Sequence, residues 1–221
     1  MQEESAQGAS VSCARRQCKG HLMIMASVEK MKRIGVLSLQ GGVEEHINAL
    51  LSASAKCALP VQVVEVRTKE DAEGLDGIIL PGGESTAISR LMERERLFPE
   101  ILRIRKIFGT CAGAILLSNS VEGAVIGQRF LSLMDINASR NAYGSQLSSF
   151  EARLTTVFGT INGVFIRAPK ISPSSKDCQP MAFHGEEVVA AYQKKGERHF
   201  LASAFHPELT TTKFHEFFLK L

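Results

Sequence analysis

The chain reads as an α/β protein with a mostly parallel central sheet, helices on both faces, and some antiparallel strands in its C-terminal half. Two observations predict this. From Arg33 to Ser118, short apolar runs rich in β-branched residues alternate with stretches of helical spacing, the rhythm of strands joined by right-handed crossovers. Beyond that region, apolar runs follow one another with only loops and turns between them, which suits antiparallel pairing.

The elements follow in order. Arg33–Leu39 is a first strand, Glu44–Ser54 a helix with Ile47, Leu50 and Leu51 at helical spacing, and Val61–Val66 a second strand. Gly77–Leu80 is a third, buried strand, Thr86–Leu97 an amphipathic helix, Lys106–Phe108 a short strand and Ala112–Ser118 the helix after it. Arg153–Phe158, Val164–Arg167, Val188–Tyr192 and Phe200–Phe205 are the later strands. Lys194, Lys195 and Gly196 mark a hairpin turn, and Lys213–Leu221 is an aromatic-faced closing helix. Residues 1–30 mix Gln, Ser, Gly and both charge signs without periodicity, so a disordered extension is expected there and one domain over residues 31–221. Glu3 and Glu4 argue against reading Arg15, Arg16 and Lys19 as a transit peptide.

Composition narrows the function. A hydrophobic content of 44% and a charged content of 22% suit a globular chain with a sizeable core. The net charge of +3 comes from scattered basic residues, whereas a nucleic-acid surface needs a clustered cationic stripe; no nucleic-acid partner is expected. No apolar run approaches the ~20 residues that cross a bilayer, so no membrane partner is expected either. Cys13, Cys18, Cys57, Cys111 and Cys178 form no CxxC pair, so free thiols, a cytoplasmic location, no metal and no cofactor are expected.

One of these cysteines stands apart. Gly109-Thr110-Cys111-Ala112-Gly113 sets a cysteine between two glycines at a strand-to-helix junction, the pattern of a nucleophile elbow. Such a turn needs small neighbours, and the helix that follows offers backbone N–H groups and a positive dipole end, the setting in which thiolates form and oxyanions are stabilised. A buried structural cysteine is the commoner fate, and Cys57 and Cys178 fit it. A thiolate that cleaves amides wants a histidine as proton carrier and a carboxylate to hold that histidine. His206-Pro207-Glu208 follows the apolar strand Phe200–Phe205 and supplies both; with extended backbone at His206, Glu208 would point to the same side as the imidazole. His46 in a helix, His199 in a turn, His215 in the last helix and His21 near the start are less well placed, and His184 is followed by glycine where a carboxylate is wanted.

Pro81-Gly82-Gly83-Glu84-Ser85-Thr86 joins a buried strand to a helix and permits close approach of backbone to a ligand, as an oxyanion hole does. It lacks the ending of a Walker loop and the spacing of a dinucleotide fingerprint. A free amino acid substrate needs an anion for its ammonium and a cation for its carboxylate; Glu84, Arg140 and Arg167 are candidates.

Together these segments resemble the class I glutamine amidotransferases, and within them the glutaminase subunits of pyridoxal 5′-phosphate synthase. The resemblance runs from Arg33–Gly41 and Glu45-His46 through Pro81–Thr86 and Gly109–Gly113 to Ser149–Glu151, Ile166–Pro169 and Phe205–Leu209, and covers residues 32–221. It implies a flavodoxin-like three-layer sandwich, a triad of Cys111, His206 and Glu208, and glutamine held by Gly83, Glu84, Ser85, Arg140, Ile166 and Arg167. It also implies an oxyanion hole from the N–H groups of Gly83 and Ala112, and ammonia transfer to a separate barrel-shaped synthase subunit that activates the glutaminase on docking. Ser145 stands where the family commonly has arginine, so no ionic role is carried over to it. The alternatives are a deglycase or peptidase of the same architecture and a catalytically silent binding subunit.

Overall fold

A computed structural model of the chain describes residues 31–140 and 149–221. The extension expected over residues 1–30 and the Ser145 position lie outside the described residues.

Among the described residues twelve strands form two sheets. In the first half β1 (Lys32–Leu37), α1 (Val43–Cys57), β2 (Val61–Val66), β3 (Gly77–Leu80), α2 (Ser85–Arg94), α3 (Phe98–Ile101), β4 (Lys106–Thr110) and α4 (Ala112–Leu117) follow the expected order, with the four-residue α3 added between α2 and β4. Then come β5 (Ser118–Glu122), β6 (Met134–Ser139), β7 (Ser149–Thr156), β8 (Gly159–Ile166), β9 (Lys170–Pro173), β10 (Cys178–His184), β11 (Glu187–Lys195) and β12 (Arg198–Ser203). A 3-10 turn at Pro207–Leu209 and α5 (Lys213–Lys220) close the chain. The large sheet has the order β2-β1-β3-β4-β12-β11-β10-β7-β8, and β5-β6-β9 form a small second sheet.

Strands β2, β1, β3, β4 and β12 are all parallel, and the rest of the large sheet is antiparallel, as expected for the two halves. Residues of one strand alternate between two apolar layers. Ile34, Val36, Ile79 and Phe108 pack with Leu50 and Ala53 of α1 and Phe214 and Phe218 of α5, whereas Leu37, Ile78, Leu80 and Ile107 pack with Ile88 and Met92 of α2 and Leu116 and Leu117 of α4. The period of two along a pleated strand thus produces the three layers. No helix of the described residues is long and apolar enough to cross a membrane.

Several boundaries differ from expectation for physical reasons. The second helix ends at Arg94, not Leu97, because Arg96 turns left-handed (φ 55°). The inward stripe of α1 is His46, Ala49, Leu50 and Ala53, at i, i+3, i+4 and i+7, which leaves Leu51 half exposed. The hairpin after β11 forms, but the lysines stay in the strand: Lys195 pairs with Arg198, and Gly196 (φ 59°) opens the turn. Residues Val157 and Phe158, expected in a strand, instead link β7 to β8 where Thr156 pairs with Gly159.

Candidate active site

Parallel strands end on the same edge of a sheet, and ligand sites of open α/β sheets gather there. Strand β4 lies between β3 and β12, with Gly109 opposite Leu80 and Thr110 opposite Ser203. Three neighbouring strand ends therefore deliver Cys111, the Pro81–Glu84 loop and the Ala204–His206 segment to one place. Phe205 anchors the last of these: its ring lies 5.7 Å from Phe165 and 5.5 Å from Phe214 by centroid. Each such pair is worth about 0.5–1.5 kcal/mol beyond burial.

Cys111 sits between β4 and α4 with φ 48° and ψ −103°, a strained conformation for a residue with a Cβ. Its amide donates to Ser203 O at 2.7 Å, which fastens the bend to β12. The flanking glycines are required by packing: a Cβ on Gly113 would lie 2.0 Å from Leu80 O, and one on Gly109 would lie 2.5 Å from the Gly113 carbonyl. The short helix α4 can thus press directly against β3 and β4. Its sulfur lies 3.8 Å from Ile166 O.

His206 is nearly buried, and its amide donates to Val164 O at 2.9 Å. Its Nδ1 lies 2.7 Å from Glu208 Oε1. A carboxylate only accepts, so Nδ1 carries an N–H directed at it. Among the described residues Nε2 has no hydrogen-bond partner. Burial opposes charging of the ring, but the adjacent Cys111 and the Glu208 carboxylate outweigh it and hold the His206 pKa up to about 10. The expected contact between Glu208 and the imidazole is made, but not through extended backbone. Pro207–Leu209 is a 3-10 turn that follows His206 at φ −103° and ψ 83°, and it is the turn that folds the carboxylate back onto the ring.

One pocket is lined by Gly83, Glu84, Ser85, Cys111, Ile115, Arg140, Ile166, Arg167, Pro169 and His206. All six residues expected to hold glutamine are among them. Glu208 lies behind His206, its side chain 1% exposed. Ala112 does not line the pocket with its buried side chain; its amide belongs to the first turn of α4, where helix N–H groups have no partner within the helix. Arg140 Nη2 lies 3.2 Å from Glu84 Oε1 across the pocket, so the cation and anion expected to clamp an amino acid are paired with each other. Arg167, just past β8, has φ 46°, a second strained residue in the pocket wall.

The geometry has counterparts among known proteins. A family model described as the SNO glutamine amidotransferase family matches residues 36–221. The chain belongs to that family. Curated relatives of this glutamine amidotransferase include a pyridoxal 5′-phosphate synthase subunit PdxT from Thermococcus onnurineus, 47% identical over 86% of this chain and 98% of the relative. Another, of the same description, is from Pyrococcus horikoshii, 43% identical over 85% and 98%. A solved structure described as a glutamine amidotransferase superposes with a TM-score of 0.72 at 38% identity, over 85% of this chain and 97% of that one.

Some residues in and around this pocket were not singled out by sequence. Gln128 accepts from Arg140 Nη1 at 3.3 Å and donates to Ser85 Oγ at 3.2 Å, linking two pocket residues, and Gln40 Oε1 accepts the Glu84 amide at 2.9 Å. Neither has a local pattern that marks it. His46 and His215 lie behind Thr110 and Glu208, fully buried. A signal for them existed: each is a histidine on the inward stripe of an amphipathic helix, where an apolar residue is the default. Of the other free cysteines among the described residues, Cys178 is buried and has its thiol pKa pushed up to about 11 by burial, then by the nearby Asp135. Cys57 is only partly buried.

Proposed function

We propose that the chain hydrolyses L-glutamine to L-glutamate and ammonia through a Cys111–His206–Glu208 triad, and that a synthase subunit uses the ammonia to make pyridoxal 5′-phosphate. The observation that carries this reading is a single pocket holding Cys111 and His206, with Glu208 hydrogen-bonded behind the imidazole at 2.7 Å. Glu84, with Ser85, would take the substrate ammonium and Arg140 and Arg167 its carboxylate, so that glutamine must part the Glu84–Arg140 pair as it enters. Ile166 closes the same wall beside the sulfur.

The Cys111 thiolate adds to the side-chain amide carbon, and the resulting oxyanion is met by the amides of Gly83 and Ala112. As the C–N bond breaks, His206 gives a proton to the departing nitrogen, which leaves as ammonia, and a glutamyl thioester remains. Water then attacks the thioester, His206 takes its proton, and the C–S bond breaks to release glutamate and regenerate the thiolate. Glu208 keeps the imidazole in the required tautomer throughout.

Relatives at 47% and 43% identity are described as subunits of pyridoxal 5′-phosphate synthase, which supports a partner synthase subunit as the ammonia acceptor; we propose that this partner is barrel-shaped and activates the glutaminase. A free thiol as nucleophile is consistent with a reducing cytoplasm. The test is ammonia release from glutamine by the complex with such a subunit, for wild type and Cys111→Ala. Loss of several orders of magnitude is expected. Undiminished release by Cys111→Ala, or equal turnover of unrelated amides, overturns the reading.

A further inference from the structure

Behind the triad stands a second pair of histidines that the reaction above does not use. His46 on α1 and His215 on α5 are both fully buried. His46 Nδ1 lies 3.0 Å from His215 Nε2; on its other side, His46 Nε2 lies 3.0 Å from Thr110 Oγ1 and 3.4 Å from Glu208 Oε1. Thr110 immediately precedes the nucleophile, and Glu208 Oε1 is the atom that accepts from His206 Nδ1. One imidazole therefore touches both arms of the triad, the strand end that carries Cys111 and the carboxylate that orients the base.

The protons in this cluster can be assigned. A bare Nε2 on His46 would set a lone pair beside a carboxylate oxygen, so Nε2 carries the N–H, which is hydrogen-bonded to Thr110 Oγ1 and lies next to Glu208 Oε1 at 3.4 Å. Nδ1 of His46 is then an acceptor and takes the N–H of His215 Nε2. His215 Nδ1 is left without a proton, in agreement with its lack of any partner: a bare acceptor is the less costly group to leave buried and unpaired. The titratable groups facing His46 are Glu208 and His206 from the segment after β12 and His215 from α5, and burial keeps both His46 and His215 neutral. Among the described residues Glu208 Oε2 has no hydrogen-bond partner, and Oε1 has the His206 hydrogen bond on one side and the polar edge of His46 on the other.

We infer that His46 is a positioning residue of the triad: its Nε2–H, with the tautomer set by His215, fixes the Glu208 carboxylate against His206 and ties it to the strand end before Cys111. The inference rests on the triad reading given above. A carboxylate free to rotate about its own bond would still be present, but it would hold the imidazole less often in the productive orientation. The effect falls on turnover and leaves glutamine binding alone, because His46 does not line the pocket.

The experiment compares His46→Leu, His46→Gln and His46→Asn in the complex with the synthase subunit, reading kcat and KM for glutamine. In parallel, the far-downfield proton NMR signal of the His206 Nδ1–H hydrogen bond is followed in the glutaminase itself. Leu removes both nitrogens, Gln restores an N–H near the Nε2 position, and Asn reaches only the Nδ1 position. Leu and Asn are expected to lower kcat about tenfold or more with KM unchanged and to shift or broaden the signal, and Gln to recover most of both. Wild-type kcat and signal in Leu or Asn overturns the inference, as does a Gln variant as impaired as Asn. Should Leu fail to fold, the Gln and Asn pair decides alone. Cys111→Ala serves as the control: if it still releases ammonia, the triad reading fails, whereas a silent Cys111→Ala beside a fully active His46→Asn sinks only the role of His46.

Discussion

Gly82→Ala tests whether the position of the His206 ring sets the rate. Gly82 has no positive φ, so alanine meets no backbone strain there. A Cβ at this site, however, would lie 2.3 Å from His206 Cε1 and 3.2 Å from each ring nitrogen. Ordinary contact begins near 3.4 Å, so the ring must retreat by about an ångström. Its backbone is pinned by the bond to Val164 O, so the movement falls on the side chain and opens the 2.7 Å contact to Glu208. A misplacement of about 1 Å costs roughly 10²-fold in rate. That corresponds to about 2.7 kcal/mol at 1.36 kcal/mol per tenfold. The assay is kcat/KM for glutamine in the complex, with urea unfolding alongside; overpacking of this kind costs about 1–3 kcal/mol of stability. A folded Gly82→Ala with wild-type kcat/KM would refute the idea that this contact sets the geometry of the base.

Other perturbations address the remaining parts of the site. Glu208→Gln removes one of the two groups that raise His206, so the pKa should fall from about 10 towards 6.5, as read by NMR titration of labelled histidine; an unmoved pKa contradicts the assigned cause. The same variant should lose less activity than Cys111→Ala, because in the proposed triad Glu208 orients the base without carrying the proton. Arg140→Lys keeps the charge but loses the planar fork, so KM for glutamine should rise about tenfold with a smaller change in kcat, and equal KM values would count against a carboxylate clamp. His215 predicts acid sensitivity: burial drives its folded pKa down to about 3, whereas the unfolded imidazole titrates near 6.5. The unfolded state binds the extra proton between these values, so this contribution to stability is complete above pH 6.5 and is lost as pH falls towards 3. Urea midpoints from pH 7 to pH 4 should therefore fall less steeply in His215→Leu than in wild type.

The first half of the fold was largely legible because its strands are short runs rich in apolar, β-branched residues and α1 and α2 repeat with a period near 3.6; the four-residue α3 is too short to show one. Four later strands were not. Ser118–Glu122 is mostly polar and exposed, Lys170–Pro173 is only four residues long, and Cys178–His184 contains Pro180, where its pairing with β11 slips out of register. Met134–Ser139 does alternate, with Met134, Ile136 and Ala138 buried, but Asp135, Asn137 and Ser139 between them dilute the apolar signal.

The sequence by itself determined the alternation that builds the parallel sheet, the elbow at Cys111, and the residue types needed to cleave an amide and clamp an amino acid. These are properties of short segments, set by sterics and side-chain chemistry that act within a few residues. Only the tertiary structure decided which side chains meet. It brought Arg140 to Glu84 across 56 positions of chain and laid His46 and His215 against each other across 169. It also folded Glu208 onto His206 by a turn where extended chain was expected. Such contacts depend on how strand ends and helix faces pack in three dimensions, and no local pattern along the chain encodes that packing.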